Sequence, residues 1–279
     1  MGCWITCIRS FNCICVTLKM NKELKPYSVH LICNAKYHDS DFARLEILKL
    51  LAEHDDIYTT VSDTYDNFDN HIGKNLVITY TCDLKPEDKD VKHMEEFLKN
   101  GGNWFALHGT NAILEFAGGK ADTPNTCPEY MELLGSRFIS HPPNMDFLVR
   151  VKDKEHQLTK GIDDFEVYDE PYYCEYDDKI HVLLDAEYSE PAEAYVAVDP
   201  PNDDPRPQMY LHNVGKGKVL YLLLGHCRGK YDMRPFVDEV TVERCAWDTE
   251  VYYEFLRRGI RWGIGKRKEC NSLITLSCT

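Results

Sequence analysis

The sequence predicts an α/β fold with a central, mostly parallel sheet and a β-rich insertion. Three observations carry this. Strand-like and helix-like segments alternate over residues 27–107 at the pitch of βαβ units. Two short, continuously apolar runs, 103–107 and 219–224, read as strands buried on both faces. Over 138–198 the pattern changes to strands, turns and acidic residues.

Taken in order, residues 27–33 form a first strand, and Asp39-Ser40-Asp41 offers helix N-caps after it. Phe42, Leu45, Leu48, Leu51 and Ala52 follow at helical spacing. Residues 57–61 are a β-rich second strand and 76–80 a third. Pro86 opens a helix as a first-turn proline, with Val91, Met94, Phe97 and Leu98 on one face. Gly101-Gly102 ends it and leads into the strand before His108. In the middle region 147–151, 180–184 and 195–198 are expected strands, and 200–205 an exposed loop. Residues 209–212 and 218–224 make a hairpin turning at Gly215-Lys216-Gly217, and a last helix runs over about 249–262. No internal repeat and no low-complexity tract occurs in the sequence.

The chain has 279 residues, at the upper end of what one hydrophobic core serves. The expected organisation is a disordered leader over 1–19, a single domain over 20–265 and a peripheral tail over 266–279. The leader holds Cys3, Cys7, Cys13 and Cys15 and reads as an extension of the start site. Met1-Gly2-Cys3-Trp4-Ile5-Thr6 formally fits the N-myristoylation pattern, a short pattern that often matches by chance. No signal peptide or spanning segment is read there. A net charge of -14 disfavours a nucleic-acid partner. The twelve cysteines are spread along the chain without a C-x-x-C pair, so neither a disulfide scaffold nor a zinc site of that type is expected. The expected setting is cytoplasmic, with reduced thiols.

In open α/β sheets, ligands bind beyond the carboxyl ends of the strands. His108, followed by Gly109, and His226, preceded by Gly225, end the two apolar runs and are candidates to meet in one site. A separation above about 12 Å would defeat that expectation. His38, His141, the acidic corner Asp169-Glu170-Pro171-Tyr172, His212 and Arg228 also fall at strand ends or loops. Imidazole with carboxylate suits proton transfer near neutral pH or a divalent metal. With eleven histidines in the chain, packed imidazoles at strand ends are the competing reading. A G-x-S-x-G elbow, a P-loop and G-x-G-x-x-G are all absent from the sequence, so no nucleotide cofactor is expected.

Six ordered blocks together resemble the ThuA-like family, named for trehalose utilisation. They are Tyr37-His38-Asp39 with Phe42; residues 97–109; Leu134-Gly135-Ser136-Arg137-Phe138 with His141-Pro142; Lys152-Asp153, His156 and Gly161-Ile162 leading to 169–172; residues 214–221 with Leu224-Gly225-His226; and 257–262. Gln157 and Lys218 depart from the family pattern. The resemblance implies a flavodoxin-like sandwich similar to class I glutamine amidotransferases, and a role in sugar metabolism on disaccharides or their keto forms. Where those amidotransferases place a nucleophilic cysteine on the strand-to-helix elbow, this chain has His108, which disfavours a thiol mechanism.

The expected function is therefore a carbohydrate-processing enzyme, a sugar isomerase or hydrolase. His108, Glu170 and His226 are its candidate catalytic groups, and His38, His141, Tyr172, His212 and Arg228 its substrate-binding groups. A divalent metal held by two or three histidines is the variant reading. The expected partner is a small sugar, with no membrane partner and homo-oligomerisation left open. The alternatives are a non-catalytic sugar-binding or regulatory domain, or a structural subunit of a larger complex.

Overall fold

The alternation of the first hundred residues builds half of the sheet. β1 (Tyr27–Ala35), α1 (Ser40–Leu51), β2 (Ile57–Ser62), β3 (Leu76–Cys82), α2 (Asp88–Lys99) and β4 (Asn103–Leu107) follow one another. This computed structural model describes residues 26–66, 74–199, 201 and 205–265. The expected leader and tail lie outside the described residues, as do Pro200 and 202–204 of the expected loop.

Every residue of β3 is buried, which its Leu-Val-Ile-Thr-Tyr-Thr-Cys composition suits. Asp39 caps α1 by accepting the Phe42 N–H at 3.1 Å. α2 starts two residues after Pro86, where Glu87 and Asp90 form a capping box, and buries Met94, Phe97 and Leu98. Gly101, at φ 100°, ends it in a conformation that favours glycine.

The chain then adds β5 (Glu115–Ala117), β6 (Lys120–Asp122), α3 (Pro128–Leu134), β7 (Ser136–Ser140), β8 (Met145–Val151), β9 (Phe165–Asp169), β10 (Tyr173–Tyr176) and β11 (His181–Ala186). β12 (Arg206–Val214), β13 (Gly217–Leu222) and α4 (Glu250–Gly263) complete it. Nine strands form one sheet in the order β2-β1-β3-β4-β13-β12-β11-β8-β9. Pairing is parallel from β2 to β13 and antiparallel from β13 to β9. The expected α/β sandwich with a mostly parallel centre and a β-rich insertion is thus observed. α1 packs with α4, and α2 with α3, while both α2 and α4 touch β4.

Several local expectations change. α1 buries Ala43, Ile47, Leu50 and Leu51 and leaves Leu45 53% exposed, so its inner face is turned from the expected one, and Pro86 precedes the Glu87 cap and lies outside the first turn of α2. Residues 195–198 are no strand: Tyr195 closes a turn by donating its N–H to the Ala192 carbonyl at 2.9 Å, and Val196 N–H goes to Ala121 at 2.8 Å. The β propensity of this Tyr-Val-Ala-Val run is overridden by the turn that brings Tyr195 inward. α3 adds a helix outside the expected elements; Pro128 starts it and Gly135, at φ 77°, ends it. The six cysteines among the described residues are buried and stand outside disulfides. Among the described residues, no helix is long and apolar enough to cross a membrane.

Candidate functional site

The carboxyl ends of β1, β3, β4 and β13 lie side by side, and the loops leaving them carry the cluster. His38 follows β1 and His108 follows β4, at the start of a short 3-10 turn over 108–111. His108 sits at φ 46°, and Gly109 beside it has no room for a side chain, since a Cβ would lie 2.9 Å from Cys82 Cβ. His226 follows Gly225, whose φ of 121° and whose approach to Tyr252 exclude any other residue. The Gly225 carbonyl accepts from Tyr80 Oη and Trp247 Nε1, both at 2.9 Å.

Among the described residues, the non-glycine residues with positive φ are Tyr37, Asp83, His108 and Cys245. Tyr37 and His108 lead into or belong to the histidine cluster, and Asp83 follows the cavity residue Cys82. Backbone strain gathers where surrounding structure over-determines a site.

β9 reaches the same place from the far edge of the sheet. Asp169, fully buried at its end, accepts four backbone N–H groups: Glu170 at 2.7 Å, Gly225 at 2.8 Å, His226 at 3.0 Å and Ala246 at 3.3 Å. This carboxylate ties Glu170 to the loop that bears His226. His108 and His226 ring centroids lie 5.6 Å apart, well inside the separation a shared site needs.

The imidazoles share one orientation. Nδ1 of His38 lies 2.7 Å from the Lys36 carbonyl, Nδ1 of His108 lies 2.8 Å from the Leu223 carbonyl, and Nδ1 of His141 lies 2.7 Å from the Pro142 carbonyl. A carbonyl only accepts, so each Nδ1 carries a proton. The opposite atoms, the three Nε2, turn toward Glu170. Its Oε2 is 3.3 Å from His108 and 3.9 Å from His38, and its Oε1 is 3.2 Å from His141. His226 is held the other way round, with Nε2 3.2 Å from Glu243 Oε2 and Nδ1 3.4 Å from Glu170 Oε1.

Burial opposes the charge on Glu170, but the neighbouring His141 and His226, followed by the close approach of His108, hold its carboxyl well below the usual range. Burial lowers the pKa of His38, His108 and His141, against the opposing pull of Glu170. Burial also works against a charge on His226, yet Glu170 and Glu243 push its pKa up to about 9. The Tyr172 phenol is held well above its ordinary value, by burial first and Glu170 next, so its O–H donates to His108 Nε2 at 3.0 Å.

The donor set fits a divalent ion. His38 Nε2 and His108 Nε2 stand 3.0 Å apart, two lone pairs facing each other once both Nδ1 are protonated. His226 Nδ1 is buried without a hydrogen-bond partner. Ligand atoms of His38, His108, Glu170 and His226 all lie within 4.8 Å of one another. Carbonyl or carboxylate partners on the outer nitrogens are the usual support of metal-bound histidine.

A cavity of about 340 Å³ opens over this cluster, with His38, His141, Glu170, Tyr172 and Arg228 in its lining. His108 and His226, 1% and 0% exposed, lie beneath them and do not line it. Cys82 lines the cavity, and burial pushes its thiol well above the ordinary value, so it serves as apolar wall.

His212 does not join the cluster. β12 runs antiparallel to β13 and pairs His212 with Val219, near the start of β13, whereas His226 lies beyond the end of β13. His212 instead packs over Gly135, where an added Cβ would meet its ring at 2.8 Å. The residue that sequence reasoning missed is Glu243, which holds His226 and sits 3.1 Å from Arg228 Nη1. Its loop carries no pattern, and only the backbone pairing of Arg228 with Glu243 brings it there.

The family model ThuA, described as trehalose utilisation, matches residues 30–247. No curated protein matches in sequence. Among solved structures, a ThuA-like protein from Bacteroides uniformis is similar with TM-score 0.61 and 17% identity over 90% of this chain and 96% of that one. A ThuA-like protein from Parabacteroides merdae gives TM-score 0.57 and 18% identity, covering 88% and 92%. A β-galactosidase from a Rahnella species gives TM-score 0.53 and 12% identity over 87% of this chain but 32% of that one. At these identities the likeness is one of fold.

Proposed function

The chain belongs to the ThuA family, whose description is trehalose utilisation, and from that premise we propose that it is a carbohydrate enzyme acting on a disaccharide or keto-sugar by proton transfer at a metal-supported histidine–glutamate site. The observation that carries this reading is the shared orientation of the imidazoles. Each of His38, His108, His141 and His226 has one nitrogen against a fixed oxygen and the other turned toward Glu170.

His38, His108, Glu170 and His226 would hold the ion. Nitrogen and carboxylate donors suit zinc or another divalent first-row metal. Such an ion supplies Lewis-acid polarisation of a carbonyl or hydroxyl oxygen. His141 is the most open of the four imidazoles, with 20% of its side chain exposed, and it faces the cavity 3.2 Å from Glu170. It is therefore the group that passes a proton to or from a bound sugar, with Glu170 as its charge partner. His108 and His226 support this pair from beneath instead of touching substrate. Arg228 lines the cavity and orients a sugar oxygen.

The test is metal analysis of the purified protein, followed by a turnover screen of trehalose, other disaccharides and keto-sugars. Expected are one equivalent of divalent metal per chain, lost in His108→Ala, and turnover abolished in Glu170→Ala and His141→Ala. Turnover untouched by the Glu170 and His141 changes would overturn the reading. Sugar binding without turnover in any arm would favour a non-catalytic sugar-binding domain.

A further inference from the structure

The floor of the cavity is polar and its mouth is aromatic. Phe116, on the β5–β6 hairpin, and Phe236, on the loop after Gly229, come from two separate surface segments. Their ring centroids lie 5.0 Å apart at an interplanar angle of 35°. Tyr37 lies 6.3 Å from both. Phe116 is 53% exposed and Phe236 56%, although both line the cavity. All three residues of β5 are exposed, so the hairpin that carries Phe116 is not held there to fill the core.

Two half-exposed phenylalanines that meet over a cavity leave apolar surface in water, and such a patch marks a place where something binds. The chemistry of the occupant follows from what surrounds it. Among the described residues, Arg228 supplies the one guanidinium or ammonium group in the cavity lining, and it is paired with Glu243 at 3.1 Å. Glu170, at the floor, supplies the one carboxylate among the described residues of the lining. The mouth, made of the three rings Tyr37, Phe116 and Phe236, therefore offers no charge to a phosphate, a sugar acid or an amine. It offers flat aromatic faces, which suit the apolar C–H face of a neutral sugar ring.

We infer that Phe116, Phe236 and Tyr37 form an outer subsite for the second ring of a neutral two-ring glycoside, whose first ring lies over Glu170 and His141. This rests on the carbohydrate reading above and deepens it. The inner groups engage the first ring wherever it comes from; the aromatic mouth makes the chain prefer a disaccharide to a monosaccharide. Phe116 and Phe236 are then specificity-determining residues that do not touch the reacting atoms. At about 340 Å³ the cavity is at the small end for ligand pockets, which suits one ring inside and the other resting at the rim.

The test measures binding of glucose, trehalose and an aryl glucoside to the full chain by calorimetry. The proteins are wild type, Phe116→Ala/Phe236→Ala and the conservative Phe116→Tyr. Expected is tighter binding of trehalose than of glucose, with the preference reduced roughly tenfold in the double alanine variant and kept in Phe116→Tyr. Metal content serves as the folding control, and Phe116→Ala and Phe236→Ala singly replace the double variant if it loses metal. Equal affinity of wild type for glucose and trehalose, or equal loss of both in the variants, overturns the outer subsite and leaves the carbohydrate reading standing. An aryl glucoside held more tightly than trehalose overturns the assignment to a second sugar. Wild type that binds none of the three overturns both.

Discussion

Asp169→Asn is the sharpest test of how this site is held together. The two carboxylate oxygens divide their work evenly: Oδ1 accepts Glu170 N at 2.7 Å and His226 N at 3.0 Å, and Oδ2 accepts Gly225 N at 2.8 Å and Ala246 N at 3.3 Å. An asparagine keeps the shape but has one accepting atom. Whichever way the amide turns, its NH2 faces two backbone N–H groups. Each buried group left without a partner costs about 1–3 kcal/mol, so the substitution costs about 4 kcal/mol. That is a large share of the roughly 5–15 kcal/mol that holds a domain folded. It also corresponds to a fall of about 8–16 °C in thermal midpoint for a domain of this size. Urea unfolding followed by circular dichroism gives the value directly, as a lower midpoint at constant m. A loss below about 1 kcal/mol would refute the reasoning, because it would mean that the loops after β9 and β13 do not depend on this carboxylate.

Two further outcomes follow from the same geometry. Glu243→Gln weakens divalent-metal affinity about tenfold to a hundredfold, because the outer nitrogen of His226 loses its carboxylate, whereas His212→Ala leaves metal content unchanged; titration against a competing chelator measures both. His30 bonds to Thr60 Oγ1 at 2.7 Å and Ser62 Oγ at 2.9 Å, and burial, with the charge of Lys74, lowers its pKa from 6.5 to about 4. Its folded-state pKa is thus below the unfolded one, so protons favour the open form. The β1–β2 pairing is then fully stable above pH 6.5 and weakens as pH falls toward 4. Protection factors of β2 amides at pH 7 and pH 5, which remove the intrinsic pH dependence of exchange, read this, and His30→Gln removes the difference.

The sequence carried the parallel half of the sheet because β3, β4 and β13 are largely apolar runs and α2 keeps its period, whereas β2 is half-exposed and α1 buries Ala43, Ile47, Leu50 and Leu51 in place of the expected face. It carried the meeting of His108 and His226 because β4 and β13 are parallel neighbours with matching ends. It misplaced His212 although the hairpin it predicts already makes β12 antiparallel to β13, which puts the end of β12 at the opposite end of the sheet from the end of β13. Residues 195–198 have β composition but obey a turn set by Ala192 and Ala121. The roles of the imidazoles were also out of reach. Only the backbone carbonyls of Lys36, Leu223 and Pro142 decide which nitrogen each presents, and no side-chain pattern encodes a carbonyl's direction.

The tie between β9 and the loop after β13 has a consequence for how the chain acquires its site. His38 and His108 are 70 residues apart, His108 and the Leu223 carbonyl 115, and Asp169 and the Ala246 amide 77. Contacts of such separation form only after long loops have closed. Among the described residues the cluster draws on segments this far apart, so its closure is expected to follow that of the sheet, and a bound ion is not expected to template folding. Its binding would slow unfolding and leave refolding nearly unchanged. The cluster is thereby a marker of completed folding, built last and lost first when the far edge of the sheet lets go.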